Sequence, residues 1–230
     1  MRIFLLLLMI LTAAALAAVH FGKVQIPDEY NPWAPLNLNA QPNLLTGIKL
    51  QRLSKDPEAC LRVLSDSGFE YTPLPDRITG YACGFHNAVR IDETSAQLTE
   101  PFSLSCRAAV SLALWERHVL QPKAAEHFGE RVTRIEHFGS YSCRNVYGRP
   151  AGTRSRHATA EAFDIAGFEL EEGTRIRVLG DWPKQGDKAQ FLREIRTGAC
   201  RFFDAVLSPD YNEAHRDHFH LDRGPYGTCR

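Results

Sequence analysis

Two stretches of this 230-residue chain hold the residue types that bind metal ions. The first is Ser155-Arg156-His157-Ala158-Thr159-Ala160-Glu161-Ala162-Phe163-Asp164, which sets an imidazole and a carboxylate seven residues apart. The second is His215-Arg216-Asp217-His218-Phe219-His220, with three imidazoles and a carboxylate in six residues. Nitrogen and oxygen donors of this kind suit a divalent metal, zinc first among them. Side chains two apart on a strand share a face. On strands, His218 and His220 therefore point one way, and so do Ala162, Asp164 and Ala166. The small neighbours of Asp164 leave room for other ligands and a substrate. Two histidines and one carboxylate leave a coordination position for water. Zinc brings that water's pKa towards about 7, and a nearby carboxylate can take and return its protons.

The elements that must position these residues are legible in outline. Ala162–Phe168 reads as a buried strand, and Val132–Tyr141, Arg175–Leu179 and His218–Asp222 as further strands. Residues 142–160 carry Gly148, Pro150 and Gly152 among polar groups and read as loop. Asp56, Pro57 and the apolar spacing to Leu64 predict a short helix ending near Gly68. A longer helix is expected over Ser105–His118, with Ala109, Leu112, Leu114 and Trp115 inward. Pro122 interrupts it, and 123–128 continues as a helical turn. Residues 69–102 read as strands and loops, and Asp187–Phe203 as a helix with Phe191 in the core. The class is α+β, a small antiparallel sheet flanked by helices.

Met1-Arg2 precedes an apolar run from Ile3 to Val19, with small residues at its end. Such a leader, residues 1–21, serves as an export signal or a membrane anchor. Its length tips the reading towards the anchor, and either function exports the remainder. Residues 22–47, with Pro27, Pro32, Pro35 and Pro42, read as an extended linker that could span roughly 60 Å from a membrane. The alternative is a segment wrapping the domain, with Trp33, Leu36 and Leu38 docked. The folded domain is expected over 48–230.

Lys plus Arg equals Asp plus Glu at 27 each, and 44% of residues are hydrophobic. That balance permits a real core and argues against a nucleic-acid partner. The six cysteines, Cys60, Cys83, Cys106, Cys143, Cys200 and Cys229, show no C-x-x-C pair. Behind an export leader they read as three disulfides. The nearest-neighbour pairing is Cys60–Cys83, Cys106–Cys143 and Cys200–Cys229. His20, His86, His118, His127 and His137 stand alone and read as ordinary surface or core residues. Strand alternation takes Glu161 off the face of Asp164.

The spacing of Ser155, His157, Ala162 and Asp164, with the terminal His-x-Asp-His-x-His, resembles the LAS metallopeptidases, and most of all the zinc D-Ala-D-Ala carboxypeptidases. Ala160 stands where their motif has glycine. The wider sequence resembles the bacterial extensin-like C-terminal domain proteins. Its markers are Gly139-Ser140-Tyr141-Ser142-Cys143-Arg144-Asn145, Ala199-Cys200-Arg201-Phe202-Phe203 and Leu207-Ser208-Pro209-Asp210-Tyr211-Asn212. The resemblance implies a hedgehog-type core over about 131–230 and a Zn2+ held by His157, Asp164 and His220. It implies Asp217 as general base, with His218 the competing choice, and His215 and His218 as transition-state or orienting groups. Arg144 corresponds to a residue that binds a substrate carboxylate, with Arg149, Arg154 and Arg156 as rivals.

The expectation is an exported zinc peptidase of the periplasm, free or anchored at the inner membrane, acting on peptidoglycan stem peptides or crosslinks. A non-catalytic wall-binding or scaffolding domain with a structural zinc is the alternative.

Overall fold

The computed structural model describes residues 2–230, without the side chains of Arg2, Ala15, Leu16 and His20; Met1 lies outside that description. The apolar leader forms α1 (Arg2–His20). Among the described residues no helix is long and apolar enough to cross a membrane.

The segment expected as a linker is a strap along the domain. Leu36 and Leu38 are buried in the core, while Trp33 stays exposed. The Lys49 ammonium donates to the carbonyls of Asp28 and Pro35. α2 (Leu44–Leu53) already begins inside this segment, where Asn43 and Thr46 exchange capping hydrogen bonds. α3 (Pro57–Ser65) starts where Asp56 accepts from the Ala59 N–H and Pro57 takes the first helical position.

Six short strands come next: β1 (Glu70–Leu74), β2 (Arg77–Gly80), β3 (Cys83–Phe85), β4 (Ala88–Glu93), β5 (Gln97–Leu98) and β6 (Phe102–Ser105). β1, β4 and β6 form an antiparallel sheet, and β2 with β3 a separate hairpin.

α4 (Cys106–Trp115) is buried along its whole length. Pro122 does not break the helical path beyond it. The chain runs through a π turn, Glu116–Leu120, into α5 (Gln121–Phe128). Proline lacks an N–H and its ring crowds the preceding turn; the wider turn accommodates both demands.

The second half builds the main sheet from β7 (Val132–Gly139), β8 (Ala162–Leu170), β9 (Arg175–Arg177), β10 (Ala205–Leu207), β11 (Phe219–Asp222) and β12 (Thr228–Cys229). The order is β12-β10-β11-β8-β7-β5, with β9 also paired to β8. The sheet is therefore larger than expected, and it is mixed. β5 runs parallel to β7, and β12 parallel to β10. Between β9 and β10 lie a helical turn, α6 (Val178–Asp181), and α7 (Asp187–Ala199), so β9 is shorter than the expected strand and α7 stops before Phe203. α7 packs against the π turn at Gly198, where a Cβ would lie 2.4 Å from a Val119 methyl. Trp115, Phe163, Phe168, Phe191, Phe202 and Phe219 fill the core. The Trp115 indole donates to the Ile195 carbonyl at 2.9 Å.

Three disulfides close the domain: Cys60–Cys106, Cys83–Cys143 and Cys200–Cys229. The last is the expected pair; the other two replace Cys60–Cys83 and Cys106–Cys143. Packing of α3 on α4 brings Cys60 to the first residue of α4. The β2–β3 hairpin lies beside the loop after β7, which brings Cys83 to Cys143. Tertiary packing, not chain proximity, selects the partners.

Glu116 sits buried in the π turn. One carboxylate oxygen accepts from the Ser95 N–H and hydroxyl, and the other has no partner. Burial pushes this carboxyl up to about 7 from an ordinary value of 4.5. The folded state then keeps a proton that the unfolded state releases across that window, so stability falls as pH rises from 4.5 to about 7 and stays low above it. Glu116→Gln should match the parent protein in acid and exceed it above neutrality by up to about 3 kcal/mol. Thermal melts from acid to mild alkali give the answer, and two parallel profiles would show that the carboxyl carries no such cost.

Candidate metal centre

β8 and β11 are adjacent antiparallel strands, and their register sets Asp164 directly opposite His220. The carboxylate and one imidazole are thus neighbours by pairing alone. His157 arrives on a single 3-10 turn, Arg156–Thr159, immediately before β8. Ser155 caps that turn, its hydroxyl accepting from the His157 N–H at 3.3 Å. Ala160 then swings the chain into β8 with φ of 53°, in the left-handed region. That conformation costs an alanine roughly 1 kcal/mol and a glycine almost nothing. A glycine would suit this turn better than the alanine that this chain has.

The three side chains converge. His157 Nε2 lies 3.1 Å from Asp164 Oδ2, and His220 Nδ1 lies 2.9 Å from Asp164 Oδ1. The two ring nitrogens are 3.2 Å apart. One ligand atom from each residue falls within 4.8 Å of the other two, and all three residues are buried.

The outer nitrogens are committed elsewhere. His157 Nδ1–H donates to the Ser140 carbonyl, and His220 Nε2–H donates to Asp222 Oδ2 at 2.9 Å. The inner nitrogens and the carboxylate oxygens therefore all face one point as acceptors. Acceptors repel one another unless a proton or a cation sits among them. Burial acts to raise the Asp164 carboxyl, but hydrogen bonds and charge from both imidazoles hold it well below the usual carboxylate range. Burial acts to lower His220, but Asp164 and Asp222 push it up to about 9. Two imidazoles and a carboxylate, with their outer nitrogens engaged, fit Zn2+.

The other expected residues surround this centre. His218 Nε2 lies 3.8 Å from Asp164 Oδ1, and its Nδ1 lies 2.8 Å from Asp217 Oδ1. Asp217 and His218 therefore form a coupled pair at the wall of one cleft. His215 Nδ1–H donates to Asn212 Oδ1 at 2.7 Å, which leaves Nε2 as an acceptor. Burial, reinforced by the charges of His220 and His218, pushes His215 down to about 4. Arg144 is exposed at the rim, and its guanidinium makes no hydrogen bond or ion pair among the described residues. Of its rivals, Arg154 is tied to Tyr81 and Asn145, and Arg156 to Glu161. Arg149 lies 5.5 Å from the Tyr147 ring centre.

Glu161 is held by Arg107 and Arg156, away from the trio. His86, His118, His127 and His137 pair with Asp76, the Leu38 carbonyl, Glu194 and the Glu100 carbonyl respectively. The sequence reading missed four groups: Asp222, the Ser140 carbonyl, Asn212 and Tyr147. Asp222 was accessible to it, because strand alternation puts residue 222 on the face of 220. Tyr147 has a left-handed backbone, and its hydroxyl accepts from Asn212 Nδ2 at 2.8 Å. No local pattern announces that contact or a backbone carbonyl.

The family model described as extensin-like protein C-terminus matches residues 58–230. No curated protein and no solved structure matches the chain.

Asp222→Asn should weaken Zn2+ binding by roughly 10–100-fold with the fold intact, because the outer partner fixes the ring and its basicity. Competition with a chelator of known affinity measures the loss, and an unchanged affinity would remove Asp222 from this role.

Proposed function

The chain belongs to the extensin-like protein C-terminus family, and we propose that it is an exported, zinc-dependent peptidase of the periplasm that hydrolyses peptide bonds of peptidoglycan. We read the sheet that carries the trio as a LAS-type core. The observation that carries the proposal is the convergence of His157, Asp164 and His220 as acceptors on one point, beside a cleft that also holds Asp217 and His218. A purely structural site would not need a carboxylate–imidazole pair and an unpaired arginine at its mouth.

Zinc, when bound, makes hydroxide from water near neutral pH and polarises a carbonyl. The chain's own residues do the rest. Asp217 accepts the proton from the attacking water and returns it to the leaving amine. Its hydrogen bond with His218 Nδ1 turns the other nitrogen of that ring towards the trio. His218, in its doubly protonated form, would donate from that nitrogen to the developing oxyanion. His215, with its proton committed to Asn212, orients its neighbours and does not donate. Arg144 supplies a forked donor for a substrate carboxylate at the rim.

Asp217→Ala should keep its Zn2+ and lose roughly 10²–10⁴ in kcat on sacculi. His157→Ala and His220→Ala should lose the metal itself. Metal content by elemental analysis, set beside mass spectrometry of released fragments, separates the two effects. Unchanged cleavage by His220→Ala would end the proposal.

A further inference from the structure

Two clefts meet at the trio. The wider, about 670 Å³, runs past Arg90, Ser103, Phe138, Tyr141 and Asp217. The narrower, about 220 Å³, runs past Tyr147, Leu207, Tyr211, His215 and Tyr226. Both are lined by Arg144, His157, Asp164, Ala214 and His218. His157 and Asp164 therefore form the neck where the two clefts join as arms, with His220 on the narrow side.

The arms differ in chemistry. The wide arm is polar and adds Arg90 to the shared Arg144, which has no partner among the described residues; the two further guanidiniums of the narrow arm are engaged, Arg154 with Tyr81 and Asn145 and Arg156 with Glu161. Arg90 is half exposed, and among the described residues its ion pair is with Asp92, its neighbour two along the strand. Exposed pairs of that kind contribute little and exchange readily. The narrow arm is faced with tyrosines, whose rings give apolar contact and whose hydroxyls give hydrogen bonds. Tyr147 has a left-handed backbone there and its hydroxyl accepts from Asn212 Nδ2, and strain of this kind collects at binding sites.

Size decides between two modes of cleavage. An enzyme that trims one terminal residue needs a short, closed pocket with a single carboxylate clamp. The wide arm lies within the range of roughly 300–1,000 Å³ that holds a drug-sized ligand, and one released alanine would leave most of it empty. Asp217 lines the wide arm and not the narrow one.

We infer that the substrate lies across the neck with peptide on both sides of the scissile bond, its carboxylate-bearing amine half in the wide arm and its acyl half against the tyrosines. The inference rests on the peptidase reading and deepens it: the bond cut is internal, a crosslink and not a terminal residue. Water supplies the oxygen that bonds to the acyl carbon as the C–N bond breaks. The new carboxylate remains in the narrow arm, and the proton passes from Asp217 to the amine in the wide arm.

The test offers the metal-loaded full chain two probes, a crosslinked dimer muropeptide and a monomeric pentapeptide ending in D-Ala-D-Ala, with products identified by mass. The expected result is a dimer split into monomers at least about tenfold faster than alanine appears from the pentapeptide. Alanine release with the dimer left whole overturns the two-armed reading and keeps the peptidase. No product from either probe overturns both. Tyr226 is exposed, so Tyr226→Ala should fold, and it should raise KM for the dimer by about fivefold, more than it lowers kcat. An unchanged KM removes the tyrosine arm from substrate binding.

Discussion

The pairing of β8 with β11 is the constraint on which the rest of this molecule depends. Asp164 and His220 lie 56 residues apart in sequence but are direct partners across one ladder. A shift of one residue in that register would turn every side chain of a strand to the opposite face. Phe163 and Leu221, themselves paired and buried, oppose any such slip because both would leave the core. The hydrophobic core thus fixes the geometry of the polar centre on the opposite face of the same two strands.

The second layer holds that geometry without adding ligands. The Ser140 carbonyl comes from the residue just after β7, the other neighbour of β8, and orients His157. Asp222 comes from the same strand as His220 and is itself fixed by the Gly224 N–H at 2.7 Å. The buried guanidinium of Arg223 is engaged with the Phe202 carbonyl and Asp204, while Arg107 binds Glu161 and the Arg223 carbonyl. These contacts tie the turn before β8 to the turn after β11. Buried charges of this kind are costly to expose singly, so the two turns are held in place together.

What could be read from the sequence was whatever is encoded locally. Ser155-x-His157, the spacing to Asp164 and the terminal histidine run are short motifs whose geometry comes from one turn and two strands. Asp56-Pro57 marked α3 for the same reason. The start of α2 was hidden because Asn43 and Thr46 lie just after a proline-rich stretch and the apolar spacing beyond them is weak. Pro122 misled because its local rule is to end a helix, and only the π turn before it lets the helix continue. Two of the three disulfide pairings were beyond sequence reading, since Cys60–Cys106 and Cys83–Cys143 depend on how α3, α4 and the β2–β3 hairpin pack. The clefts belong to the same class: Arg90, Tyr147 and Tyr226 come from distant segments and share no pattern.

Cys83–Cys143 has a bearing on timing. It is the one covalent bond between the β2–β3 hairpin and the loop that presents Arg144 and His157. A thiol pair at this point stays open in a reducing cytosol and closes under oxidising conditions. Before closure the loop is tethered only by its own hydrogen bonds and keeps more of its conformational freedom. With these thiols open the loop carrying Arg144 and His157 would be slack, and closing the bond would tighten it.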